Sequence, residues 1–384
     1  MKRTNAEPHR VAIIGSRGYP STYGGYETLV RYLARAWVER DLDVTVYCRD
    51  KEDGRSVWKR DGVTCRWTPG RDSKSLSTLS FGLSSQLDAA RRGFEAALVL
   101  NIANGFFLPL LAGAGTATAL NTDGIEWERG KWGRAAKKVF FSGAKASARN
   151  ADVLIADSEA IADVWRQTFG VESTFIPYGA PVLPGAGDER VRALGFSPGG
   201  YALVVARLIP ENNVELILDA LERVEPRPRA VIVGSANYDS PIEARLRDLD
   251  HRGAVRWLGH VHDQELLTQL WTNCGVYLHG HSVGGTNPAL LQALGAGAPT
   301  LALDTRFNRE VIRAEGQLFA ADPARLADKI GETLAQPGRR VGMAAHGRKV
   351  VGSRYDWDDV TERYYAALVE AVERRSGRRR DRHR

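Results

Sequence analysis

Short runs rich in β-branched residues alternate with helix-patterned stretches along nearly all of this 384-residue chain, and that alternation limits the folds open to it. In the first half the strand-like runs are Val11–Ile14, Val44–Cys48, Val63–Trp67, Ala97–Leu100, Ala117–Asn121, Val153–Ala156 and Thr174–Ile176. In the second half they are Ala202–Ala206, Ala230–Val233, Val255–Leu258, Val276–Leu278 and Thr300–Leu303. Helical patterns such as Glu27–Arg40, Val214–Val224 and Asp263–Trp271 lie between them. Strands joined through helices pair in parallel, and the helices cover both faces of the sheet. The predicted class is α/β. A chain of this length fills two cores. The strand series restarts after Pro181-Val182-Leu183-Pro184-Gly185-Ala186-Gly187, a Pro/Gly-rich stretch suited to a linker. The expected domains are therefore 1–185 and 186–373.

Three of the strands lead into candidate binding loops, two of them glycine-rich. After Val276–Leu278 comes His281-Ser282-Val283-Gly284-Gly285-Thr286-Asn287-Pro288, which opens into the helical pattern Ala289-Leu290-Leu291-Gln292-Ala293-Leu294. Asn287 suits an N-cap, and Pro288 suits the first helical position because its missing N–H would be unpaired there. Gly284 and Gly285 let backbone approach a ligand, and free amides at the helix start offer partial positive charge to an anion. In chemical terms this is a phosphate cradle. After Val11–Ile14 comes Gly15-Ser16-Arg17-Gly18-Tyr19-Pro20-Ser21-Thr22-Tyr23-Gly24-Gly25-Tyr26-Glu27. After Ala202–Ala206 comes Arg207-Leu208-Ile209-Pro210-Glu211-Asn212-Asn213. Ligands of open α/β sheets bind beyond the C-terminal strand ends, so all three loops are placed on the binding side.

The three segments, in this order, resemble those of the family 4 retaining glycosyltransferases, and more narrowly the branch with bacterial polysaccharide rhamnosyltransferases. The resemblance implies the GT-B fold: two Rossmann-like domains facing each other across a cleft that holds the active site. It also implies that the last helix, about 357–373, crosses back to the N-terminal domain. The implied reaction is transfer of a sugar, rhamnose from a dTDP donor on the branch pattern, to a lipid-linked saccharide in cell-surface polysaccharide synthesis. The nucleotide sugar is a substrate, and no cofactor or metal is implied.

The resemblance also distributes roles. Gly24, Gly25, Arg207, Asn212, Ser282, Gly284, Gly285, Thr286, Asn287 and Gln292 would bind the donor, with Arg207 at the diphosphate. A guanidinium suits that task because it stays charged and offers a planar fork of donors. Many relatives carry Lys where this chain has Asn212. They also carry two glutamates where it has Gly284 and Gln292; Gly284 fits the branch, and Gln292 does not. Asp123, in Asn121-Thr122-Asp123-Gly124-Ile125-Glu126-Trp127, would orient the acceptor hydroxyl; its alternative is an Asx-turn before Gly124. Tyr19, Tyr23, Glu126 and Trp127 complete the expected acceptor side. In such enzymes a donor phosphate oxygen is thought to take the acceptor's proton, so no dedicated base is required.

The formal charge of +7 is concentrated at one end, because residues 374–384 carry seven Arg against one Asp. That tail has almost nothing apolar to bury and is expected to be disordered. Residues 129–149 hold seven basic residues and no acid. At ~100° per residue Lys131, Arg134, Lys138, Lys145 and Arg149 fall within about 60° of one another. This stripe suits either solvent or anionic lipid headgroups, as a polyprenyl-diphosphate-linked acceptor would require. With no apolar run long enough to span a bilayer and no signal-peptide pattern, the expected location is cytoplasmic, peripheral on the membrane's inner face. Nucleic acid is not an expected partner. Cys48, Cys65 and Cys274 are too widely spaced for a CxxC pair and read as reduced thiols.

Two other functions fit parts of the sequence. A non-catalytic GT-B partner protein would explain Gln292. An NAD(P)-dependent oxidoreductase could use Gly15, Gly18 and Asp50, but the G-x-G-x-x-G spacing is absent.

Overall fold

A computed structural model describes residues 7–20, 25–71, 77–129, 132–236 and 240–382. The chain divides into two compact units. Unit 1 holds the residues up to Tyr178 together with those from Trp357 onward, and unit 2 is Gly179–Asp356. The first boundary lies at 178/179 rather than near 185, and Pro181–Gly187 belongs to unit 2, where Leu183 N–H donates to the Gly295 carbonyl at 2.9 Å.

Unit 1 contains β1 (Arg10–Ile14), β2 (Asp43–Cys48), β3 (Val57–Arg60), β4 (Val63–Trp67), β5 (Ala96–Leu100), β6 (Ala117–Asn121), β7 (Val153–Ala156) and β8 (Thr174–Phe175). They form one sheet in the order β3-β4-β2-β1-β5-β6-β7-β8, parallel throughout except for the β3–β4 pair. β1, β5 and β6 are buried along most of their length, as strands covered on both faces must be.

Unit 2 contains β9 (Tyr201–Val205), β10 (Arg229–Val233), β11 (Arg256–Trp257), β12 (Val276–His279), β13 (Thr300–Leu303) and β14 (Leu318–Phe319). Their order is β11-β10-β9-β12-β13-β14, all parallel. One face packs Ala202, Val204, Leu278 and Leu301 against Ile217, Leu218, Leu246 and Ile330 from three helices.

The C-terminal helix runs Trp357–Arg382 and lies on unit 1. Trp357 stacks on Tyr32 with centroids 4.0 Å apart, and Asn121 Nδ2 donates to the Tyr364 hydroxyl at 2.5 Å. The expectation of a disordered tail from residue 374 is corrected here. Asp152, whose side chain is fully buried, accepts from Arg375 Nε at 2.9 Å and Nη2 at 2.8 Å. Arg378 lies 3.4 Å from the same carboxylate, and Arg374 donates to the Asp152 carbonyl at 3.1 Å. A buried carboxylate requires partners, and the arginines supply them.

Candidate functional site

The strand order of unit 2 reverses between β9 and β12, so their C-terminal ends diverge and leave a crevice. The loops that leave these two strands are tied together. Gly280 is required there, because a Cβ on it would lie 2.4 Å from the Asn212 carbonyl oxygen. Ser282 donates its N–H (2.9 Å) and hydroxyl (2.8 Å) to the Glu211 carbonyl, and Asn213 Nδ2 donates to the Gly280 carbonyl at 2.8 Å. Gly284 turns the loop at φ 119°, which favours glycine. Asn287 then caps the helix Pro288–Ala296, accepting from Ala289 N–H at 2.9 Å with Pro288 in the first turn. The predicted glycine loop leading into a capped helix start is thus present.

Several donor-side residues cluster at this edge. Arg207 is exposed beyond β9 and forms no ion pair among the described residues. Gly285 and Gln292 are half-buried, and Thr286 is buried. Asn212 stands differently from the expectation of a direct contact. It is 5% exposed, its Nδ2 donates to the Arg207 carbonyl at 2.7 Å, and its Oδ1 lies 2.5 Å from His281 Nδ1. The Ser282 hydroxyl is likewise used inside the loop. His279, buried behind them with Nδ1 3.2 Å from the Tyr277 hydroxyl, is lowered to about 3 by burial and by neighbouring His281, and so is neutral.

In unit 1 the order reverses between β1 and β5. Gly15 leaves β1 at φ 107°, and a Cβ there would lie 2.4 Å from the Leu100 carbonyl oxygen. Gly25 opens the helix Gly25–Glu39; Gly24 and Tyr23 lie outside the described residues. Asp123, past β6, is half-buried at φ 58°, and its N–H donates to Asn121 Oδ1 at 2.8 Å. The Asx contact is therefore made by Asn121, and the Asp123 carboxylate is not its acceptor. Burial, and then the charge of Asp123, raises the phenols of Tyr26 and Tyr178 well above the usual tyrosine range. These groups form a carboxylate-and-phenol cluster at the C-terminal edge of the sheet.

The other acceptor-side residues are engaged elsewhere in unit 1. The Tyr19 hydroxyl donates to Asp61 at 3.1 Å; burial and that carboxylate raise it to about 12. Glu126 is buried, paired with Arg129 at 2.5 Å, and accepts from Trp132 Nε1 at 2.8 Å. Trp127 packs among Phe141, Trp165 and Phe169, with centroids 5.8, 6.3 and 5.9 Å away. Tyr19 and Trp127 are thus occupied by packing within the unit.

The helix Arg134–Asn150 buries Gly143, Ala144 and Ser147. A Cβ on Gly143 would lie 2.8 Å from the Ile102 carbonyl oxygen, so the helix can pack this closely only with glycine there. Arg134, Lys138, Lys145 and Arg149 are exposed, as are Val139 and Phe141; Lys131 lies outside the described residues. Among the described residues no helix is long and apolar enough to cross a membrane.

Comparison with known proteins agrees with this layout. Residues 24–179 match the glycosyl transferase 4-like domain, and residues 190–350 match the glycosyl transferases group 1 domain. A GDP-mannose-dependent monoacylated alpha-(1-6)-phosphatidylinositol monomannoside mannosyltransferase of Corynebacterium glutamicum is 25% identical over 55% of this chain and 60% of its own length. The UDP-N-acetylglucosamine–peptide N-acetylglucosaminyltransferase GtfA subunit of Streptococcus gordonii is 21% identical over 59% of this chain and 44% of its own. The chain thus spans about half the length of these curated relatives. Among solved structures, sucrose-phosphate synthase from Thermosynechococcus elongatus superposes with a TM-score of 0.79 at 17% identity, covering 93% of this chain and 97% of that one. Anabaena HepE in complex with UDP-glucose gives 0.73 at 16%, covering 94% and 98%. These likenesses establish the GT-B fold.

Proposed function

We propose that this chain, which joins a glycosyl transferase 4-like domain to a glycosyl transferases group 1 domain, transfers a sugar from a nucleoside diphosphate donor to a saccharide acceptor. The observation that carries the reading is the unit 2 edge, where a glycine loop leads into a capped helix start and the exposed Arg207 stands beyond the neighbouring strand. Helix amides and a guanidinium aimed at a departing diphosphate stabilise charge as it develops. That a structure of the same fold carries UDP-glucose supports the donor class.

The finer reading is a retaining transfer. In it a donor phosphate oxygen takes the acceptor proton, while Asp123, at the carboxylate-and-phenol edge of unit 1, orients the acceptor hydroxyl. This route needs no metal and no separate cofactor. The donor sugar in this reading is rhamnose, which rests on the branch resemblance alone; the mannosyltransferase relative makes mannose the competing choice. The acceptor is a lipid-linked saccharide at the cytoplasmic face. Support comes from the exposed Arg134, Lys138, Lys145 and Arg149 beside exposed Val139 and Phe141, a cationic and apolar pairing suited to anionic headgroups.

The test is a screen of dTDP-rhamnose, GDP-mannose and UDP-N-acetylglucosamine with a polyprenyl-diphosphate-linked saccharide. The anomeric configuration of the product is then read by NMR. Transfer with retained configuration is expected. Inversion would remove the phosphate-assisted route, and binding without turnover of any donor would favour the non-catalytic partner suggested by Gln292.

A further inference from the structure

We infer that unit 2 carries a second binding site, for a small hydroxyl-bearing phosphate ester, in an open cavity between Arg340 and Arg348 at the end of its sheet opposite the candidate donor loops. Those loops leave the C-terminal ends of β9 and β12. The cavity lies at the other ends: Gly199 precedes β9, Thr272 and Asn273 precede β12, and Pro299 precedes β13. Along the five residues of β9, at ~3.3 Å of rise per residue, the two edges stand about 15 Å apart. The cavity measures about 240 Å³, less than the ~300–1,000 Å³ of sites for drug-sized ligands. It therefore suits a sugar phosphate rather than a nucleotide sugar.

The charge comes from one helix. Pro337–Arg354 contains Arg339, Arg340, Arg348, Lys349 and Arg354 and no acid. Arg340, Ala344 and Arg348 are spaced four apart and share one helical face, on which the small Ala344 leaves room between two half-buried guanidiniums. Main chain holds both. Arg340 Nη1 donates to the Gly199 and Leu334 carbonyls, each at 3.1 Å. Arg348 donates from Nε to the Leu183 carbonyl at 3.2 Å and from Nη2 to the Ala296 carbonyl at 3.1 Å. It lies over Gly297, where a Cβ would collide with its Cζ. All four acceptors are uncharged, and neither arginine forms an ion pair among the described residues. Arg340 Nε and Nη2 and Arg348 Nη1 are thus left to donate. Leu334 and Ala296 lie at helix C-termini, so the arginines also cap those ends. Capping accounts for the bonds they make, and not for the room between them. The Thr272 hydroxyl, buried at the cavity, has no hydrogen-bond partner, a state that a ligand would relieve. Asn273 spends Nδ2 on the Gly187 and Gln269 carbonyls, both at 2.9 Å, and keeps Oδ1 as an acceptor. Two guanidiniums without a carboxylate favour a ligand with more than one negative charge, and a phosphate monoester carries about −1.5 to −2 at pH 7. Thr272 and Asn273 suit the hydroxyls of such an ester.

The experiment measures binding of glucose 6-phosphate, inorganic phosphate and glucose by calorimetry to wild type, Arg340→Ala, Arg348→Ala, Thr272→Val, Ala344→Glu and Arg207→Ala. Wild type should bind glucose 6-phosphate saturably, more tightly than phosphate, and should not bind glucose. Either arginine variant should weaken the ester about ten- to hundredfold, the range of a hydrogen bond to a charged group. Thr272→Val should weaken the ester more than it weakens phosphate. Ala344→Glu removes no capping bond and sets a carboxylate between the guanidiniums, so it should abolish binding; it carries the test should an arginine variant not fold. Arg207→Ala should leave binding unchanged, because Arg207 stands at the other edge. No saturable binding by wild type, binding that survives Ala344→Glu, binding lost in Arg207→Ala, or equal affinity for phosphate and its ester each overturns the assignment. If vesicles containing phosphatidic acid bind wild type but not Ala344→Glu while the free ester does not bind, the phosphate is a lipid headgroup and the small-molecule reading falls.

Discussion

Replacing Arg375 with alanine should destabilise unit 1 by about 3 kcal/mol, because it strips a fully buried carboxylate of its principal partner. Asp152 holds Arg375 Nε and Nη2 at 2.9 and 2.8 Å, with the arginine side chain only 14% exposed. Breaking a buried pair from one side costs ~3–5 kcal/mol, since the remaining charge is left desolvated. Two effects bring the figure to the low end. Thr118 still donates to Asp152 from its N–H at 2.9 Å and its hydroxyl at 3.2 Å, and Arg378 stands 3.4 Å away. Arg378 is 56% exposed, so solvent screens its contribution, and Arg378→Ala should cost at most about 1 kcal/mol. For a unit of this size about 3 kcal/mol corresponds to a melting shift of roughly 6–12 °C. The assay is thermal unfolding of wild type, R375A, R378A and D152N, with the R375A/D152N double variant closing a cycle. Once Asp152 is an amide, removing Arg375 should cost much less than it does in wild type. A shift below about 1 °C for R375A, or additive losses in the cycle, would refute the claim that this end of the chain is packed through a buried charge pair.

Arg207→Ala should cut turnover about a hundred- to thousandfold with an unchanged melting temperature, because one charge-assisted contact at a developing charge contributes ~2.7–4 kcal/mol; near-normal turnover removes Arg207 from the site. Gln292→Glu should tighten nucleotide binding by about 1 kcal/mol in calorimetry, since a carboxylate accepts ribose hydrogen bonds more strongly than an amide; loss of binding would mean that the surroundings have adapted to the amide. His279 titrates near 3 in the fold, against 6.5 when unperturbed. Between those values the unfolded chain binds the extra proton, so this contribution to stability is complete above about pH 6.5. It is lost as the pH falls, by up to about 1.4 kcal/mol per unit, until both states are protonated near pH 3. His279→Gln should flatten that slope in urea midpoints taken between pH 5 and 7, and an unchanged slope would show that His279 protonates without unfolding.

Most of the parallel strands could be read from the sequence because they are short, nearly continuous apolar runs, the signature of a strand buried on both faces. β3 was not, since Val57-Trp58-Lys59-Arg60 is a largely exposed antiparallel edge with no apolar run to mark it. Nor was β14, only two residues long. Asn287, Pro288 and Gly284 announced the helix start through local chemistry, which residue type and order encode. What the sequence concealed is partnership at long range. Nothing near Arg375 in the chain points to Asp152, and nothing near Tyr19 points to Asp61. The family resemblance puts Asn212 beside the donor, yet the side chain turns inward to the Arg207 carbonyl and His281, a choice made by a loop about seventy residues away.

That the final helix lies on unit 1 also fixes an order of events during synthesis. Asn121 and Asp152 are translated early, whereas Tyr364 and Arg375, which meet them, come 243 and 223 residues later; at 5–20 residues per second this is a delay of about 11–49 s. Throughout that interval the Asp152 carboxylate, just before β7, has Thr118 but not its arginines, and Asn121 lacks the Tyr364 hydroxyl. Unit 2, whose residues form one continuous stretch, has everything it needs before Trp357–Arg382 is made. The later-encoded unit is thus free to fold to completion first, and the earlier-encoded unit waits for the helix Trp357–Arg382.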